Sequence, residues 1–113
     1  MGVDNKDVEP RQVEMGFGTC FTSESWGKDA KFVVMNVEPD NVGASRVIKS
    51  GDKEALEGPG NVDLKNIKEI IGVWSKERIL AAFANRGQMS PAFVNLIEGY
   101  STQPSRVISI SLR

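Results

Sequence analysis

The sequence predicts an α+β domain with a mainly antiparallel sheet. Three observations point there: strand-like alternation fills the first half, two capped amphipathic segments follow, and one further alternating segment closes the chain. A length of 113 residues suits one domain, which buries roughly two-thirds of the surface its unfolded chain exposes.

Residues 1–10 are rich in charge and end at Pro10, so they are expected to form a flexible arm ahead of a single domain over 11–113. In RQVEMGFGTCFTSES, Val13, Met15 and Phe17 alternate with polar or small residues. That spacing predicts one strand before Gly16 to Gly18 and a second after it, with the glycines at a bulge or turn. Trp26-Gly27-Lys28-Asp29 reads as a turn. It leads into KFVVMNV, Lys31 to Val37, whose continuous apolar and β-branched run predicts a central strand buried on both faces. Glu38-Pro39-Asp40-Asn41 carries turn chemistry, and Ser45 to Lys49 is a short strand closed by Ser50-Gly51.

If Lys53 to Leu56 is a strand, Asp52 and Glu54 share one of its faces. Gly58-Pro59-Gly60 follows as a compact turn. Asp63 is placed to cap a helical turn with Leu64, Ile67 and Ile71 on one face, while Ile70 to Trp74 fits a strand equally well. Periodicity leaves both open.

Ser75 to Gly87 has a serine N-cap, apolar Ile79, Leu80 and Phe83 at helical spacing, and a glycine to end it. Ser90-Pro91 opens a second helix, carrying Phe93, Val94 and Ile97 inward and stopping at Gly99. The expectation is a helical hairpin, about 76–98, packed on one face of the sheet. In RVISISLR, Ile108, Ile110 and Leu112 alternate with Ser109 and Ser111, as in a half-buried strand.

Composition excludes several classes of chemistry. Histidine is absent, which removes Ser-His-Asp and Cys-His triads, the histidine base and nearly all zinc catalysis. The single cysteine, Cys20, excludes an internal disulfide and a cysteine-rich metal site. Neither a metal nor a cofactor is expected. A net charge of -1 supplies no global field for nucleic acid or an anionic membrane. No apolar run approaches a membrane span, and MGVDNKDVEPR is not a secretion signal. The expected setting is the cytoplasm, or delivery as an effector without a recognisable signal.

Two short constellations carry resemblances. Phe21-Thr22-Ser23, the buried strand KFVVMNV, and Asp52-x-Glu54 followed by GPGNVDLKNIKEIIGVW together resemble the C-terminal half of the ADP-ribosyltransferase toxin fold. The resemblance implies NAD as cofactor, Glu54 as the catalytic carboxylate and Asp52 as its upstream partner. It also implies that Thr22 orients the glutamate, that Ser23 is the second hydroxyl of the nicotinamide pocket, and that Arg11 grips the dinucleotide. A carboxylate so placed would stabilise an oxocarbenium-like transition state. Separately, ERILAAFANRGQMSPAFVNLIEGYSTQPSRVISISL looks like a winged helix-turn-helix. That resemblance implies that Thr102, Gln103, Ser105 and Arg106 open a recognition helix in the major groove of DNA.

The reading favoured by the residues has no chemistry: a small non-catalytic protein-binding module of inhibitor, immunity or accessory type. Gly58-Pro59-Gly60 is not a phosphate cradle, because no lysine and hydroxyl follow it at the needed spacing. Trp26 and Trp74 are the candidate anchors for another protein if they are exposed.

Overall fold

The computed structural model describes residues 11–23, 30–39 and 41–110. The expected arm over 1–10, the turn at Trp26 to Asp29 and the end of the last strand at Leu112 lie outside them. Eight strands and two helices follow in the order β1 (Arg11–Met15), β2 (Thr19–Ser23), β3 (Ala30–Val37), β4 (Asn41–Ser50), β5 (Lys53–Leu56), β6 (Gly60–Asp63), β7 (Ile67–Val73), α1 (Lys76–Asn85), α2 (Pro91–Ser101) and β8 (Arg106–Ile110). The expected α+β class holds: a six-stranded antiparallel sheet, a two-stranded sheet of β1 and β8, and two helices on the larger sheet.

The strand order β5-β4-β3-β2-β7, with β6 also on β4, has a geometric consequence. Asp63 ends β6 on one side of β4, and Ile67 begins β7 beside β2. Four strand spacings of a flat sheet span about 19 Å. Four residues of chain reach at most about 14 Å. The sheet is therefore curled, bringing its first and last strands toward each other.

Curling makes two cores. Inside the curl pack Met15, Phe21, Phe32, Val34, Val42, Val62, Ile67 and Ile108. On the helix side pack Cys20, Val33, Met35, Leu56, Trp74, Ile79, Phe83 and Ile97. β3 feeds both, Phe32 and Val34 inward, Val33 and Met35 toward the helices, which is why its sequence is a continuous apolar run.

β5 and β6 form one arm with a fault in it. Val47 pairs with Leu56 in one register, and Ala44 pairs with Gly60 in a register shifted by one residue. The extra residue falls in Glu57-Gly58-Pro59, where Glu57 N–H donates to the Arg46 carbonyl at 3.1 Å. β4 is thus longer than expected, beginning at Asn41 instead of Ser45, because β6 supplies ladder partners that offset the turn tendency of its first residues. The hairpin between β4 and β5 turns at Gly51 and Asp52, with Gly51 at φ +67°, as two-residue hairpin turns require at their first position.

Asp63 does cap a single 3-10 turn, Leu64–Asn66, its Oδ1 accepting from Lys65 N–H at 3.0 Å. From Ile67 to Val73 the chain is strand, so the strand reading prevails there and the helical face expected through Leu64, Ile67 and Ile71 is not formed: Ile67 is buried and Ile71 exposed on β7. α1 and α2 form the expected hairpin. Ser75 Oγ accepts from Arg78 N–H, Ser90 Oγ accepts from Phe93 N–H, and the Phe83 and Phe93 rings meet edge to face at 4.7 Å. α2 runs two residues past Gly99 and ends at Ser101. There Thr102 Oγ1 donates to the Gly99 carbonyl, and Pro104 disfavours helix for the residue before it.

Candidate functional site

A cleft of about 270 Å³ crosses the helix-side face of the sheet beside the start of α1. Each strand of the larger sheet's main path contributes to it: Glu54 from β5, Val47 from β4, Lys31 from β3, Cys20 from β2, and Ile71, Gly72 and Val73 from β7. Trp74 and Arg78 complete the lining. Gly18 sets the position of Trp74. Its φ is +95°, Trp74 N–H donates to its carbonyl at 2.8 Å, and a Cβ there would lie 2.5 Å from the Trp74 carbonyl oxygen.

Glu54 does not stand free in the cleft. Arg78 Nε donates to its Oε2 at 2.8 Å and an Arg78 terminal nitrogen donates to its Oε1 at 3.0 Å, a bidentate pair. The guanidinium also lies 3.9 Å from the centroid of the Trp74 ring. The hydrogen bonds from Arg78 hold the Glu54 carboxyl below the usual glutamate range, and those to Glu54 raise the Arg78 guanidinium further. Burial pushes the Cys20 thiol up, although Lys31 and Arg78 pull in the opposite direction. Cys20 is 3% exposed, a floor residue with little thiolate character.

The lip is apolar and open. Val73 is 75% exposed and Ile71 44%, among the few large apolar side chains left in solvent by the described residues. β7 has β2 as its strand partner, with register shifts between Cys20 and Phe21 and between Thr22 and Ser23 of β2. Bulges of this kind twist an edge and re-aim its side chains. Trp74, at 7% exposed, is part of the core beneath the lip and presents its ring to Arg78 instead of to solvent.

The residues named from sequence are brought together only in part. Asp52 lies in the hairpin turn, exposed, so it does not share a strand face with Glu54. Thr22 and Ser23 sit on β2, with two strands between them and Glu54, and Thr22 Oγ1 is 3.5 Å from the Glu69 carbonyl it donates to. Ser23 is fully buried, and Arg11 is in the separate two-stranded sheet.

The residues expected to open a recognition helix do not form one. Thr102 is the C-cap of α2, Gln103 and Pro104 connect, Ser105 Oγ donates to Glu14 Oε2 at 2.6 Å, and Arg106 begins β8. The alternation at Ile108 and Ile110 prevails over the helical pattern. Gln103 and Arg106 instead line a second, polar cavity of about 400 Å³ with Asn36, Glu38 and Tyr100.

Sequence reasoning missed Arg78, Lys31 and Val73 as parts of one site. The link between Arg78 and Glu54 spans 24 positions and two elements, so no local spacing signals it. Among the described residues no group of three or more His, Cys, Asp or Glu side chains is placed to hold a metal, and no helix is long and apolar enough to cross a membrane. No protein-family model matches the chain, and neither a curated protein nor a solved structure does.

Proposed function

We propose that this protein is a small non-catalytic protein-binding module, and that the β7 lip and the cleft behind it are its contact surface. The observation that carries this reading is Val73, three-quarters exposed at the rim of a concavity that five of the larger sheet's six strands help to line. Large apolar side chains beside a cleft with charged groups at its rim resemble the anchor-and-rim arrangement of protein interfaces. Exposing such a side chain leaves unrealised about 1.5–3 kcal/mol of burial that a partner can supply.

An enzymatic use of Glu54 receives less support, since both its oxygens already accept from Arg78. The same pairing makes Glu54 and Arg78 a fixed wall for the cleft. A buried single cysteine without a disulfide suits the reducing cytoplasm as the place where the module works.

Panning the purified protein against a displayed library of random short peptides tests the reading. We expect enrichment of peptides whose binding is lost in Val73→Glu, while the thermal unfolding midpoint stays within a few degrees of the parent. Failure to enrich any peptide, or enriched peptides that bind Val73→Glu as well as the parent, would count against this surface.

A further inference from the structure

Neither its dihedral nor crowding requires Gly72 to be glycine, although β7 shifts register on β2 beside it. Its φ lies outside the left-handed region, and a Cβ built on it meets no heavy atom within 4 Å. The contrast with Gly18 is sharp, since there both the dihedral and the Trp74 carbonyl exclude a side chain. Glycine also weakens a strand by roughly 0.5–1 kcal/mol relative to alanine. What Gly72 does is keep the cleft open: it pairs with Cys20, so a side chain there would stand over the cleft floor. Bare backbone in a strand is where a second backbone approaches closely.

Charge in the cleft is unbalanced. Arg78 and Glu54 neutralise each other, and Lys31 remains, exposed on β3, with no carboxylate partner among the described residues. Around it the walls are apolar: Val47, Ile71, Val73 and Trp74. A ligand complementary to this surface is apolar along its length and carries one negative charge.

We infer that the cleft takes an extended peptide segment of a partner protein, its backbone crossing Gly72, a β-branched or aliphatic side chain against Val73, and a carboxylate at Lys31. This rests on the proposed protein-binding reading and specifies its partner's chemistry. Gly72 then acts as a steric gate and Lys31 as the selector of charge.

The test compares the parent, Gly72→Val and Lys31→Glu in binding to peptides enriched from the random displayed library, and to the same peptides with Asp and Glu replaced by Asn and Gln. We expect the enriched peptides to be acidic and aliphatic, and to lose at least about tenfold in affinity for Gly72→Val, a change of 1.4 kcal/mol. Valine should keep or raise the unfolding midpoint, because the site has room and a strand favours it. Lys31→Glu should bind the amide peptides better than the acidic ones, reversing the parent's order. Peptides that depend on Val73 but are indifferent to Gly72 and Lys31 would overturn this inference and leave the protein-binding reading standing. Failure to enrich any peptide would overturn both. A dimer in sedimentation velocity that Gly72→Val dissociates would replace the peptide with a second copy of the chain.

Discussion

The two ends of the curled sheet are finished in opposite ways. At the β5 end, α1 packs over the strand, Asn85 Nδ2 donates to the Glu54 carbonyl at 2.9 Å, and Arg78 clasps the Glu54 side chain. Both the carbonyl and the side chain of Glu54 on that edge are thereby occupied. At the β7 end, bulges and exposed Ile71 and Val73 take the place of a cover. Exposed sheet edges invite pairing with other chains, and proteins generally blunt them. Here the β5 edge is covered by α1, the helix that follows β7 in sequence. The other is twisted but left apolar, and the proposed contact surface at β7 rests on this difference.

If the covered end bears stability and the open end bears binding, substitutions at the two should separate these properties. The largest effect is expected at Phe83, fully buried on the face of α1 and set against Phe93. Phe83→Ala should cost about 3–5 kcal/mol in urea unfolding, through the lost transfer energy and the cavity it leaves. A loss below 1 kcal/mol would mean that α1 is not held on the sheet as described.

Gly18→Ala comes next and probes the junction between the two ends, because it strains a left-handed position against the Trp74 carbonyl. A destabilisation above about 1 kcal/mol is expected by chemical denaturation, together with a change in Trp74 fluorescence in a Trp26→Phe background. Unchanged stability would show that the turn can relax without moving Trp74.

The sequence made these two ends unequally legible. Helix α1 carried its own signals, a serine cap, a helical apolar face and a closing glycine, so its place and length were readable. β3 was readable as doubly buried because each face met a core. β6 was not, since its one buried residue, Val62, gives no alternation and the flanking glycines and proline read as turn. Its strand character comes from pairing with β4, a tertiary cause. Glu54 stood out as an acid in a short strand, yet its environment is set by Arg78 from another element. Val73 fell in the stretch that also fitted a strand, and its exposure comes from the position of β7 at the end of the sheet.

A smaller effect is expected from the Glu54 and Arg78 pair. Their side chains are 39% and 49% exposed, so the pair contributes no more than about 1 kcal/mol. The folded-state pKa of Glu54 lies below its unfolded value, so this stabilisation is present above the ordinary glutamate range near pH 4 and is lost as pH falls through the folded value. Arg78→Ala should therefore flatten the decline in stability on acidification, most visibly below about pH 4. An unchanged slope would mean that the pair is not formed in solution.

The smallest effect on stability, within about 0.5 kcal/mol, is expected for Val73→Glu at the open lip, where the side chain has little to lose. That near-silence is informative only alongside a binding measurement. Amide hydrogen exchange across the chain, with and without an enriched peptide, therefore tests the central claim most directly. We expect protection to rise at Ile71 to Trp74 of the β7 lip and to stay unchanged over β5, whose edge α1 already covers. Protection gained at β5 or β6, or at the cavity lined by Gln103 and Arg106, with none at β7, would contradict the assignment of the open end as the contact surface.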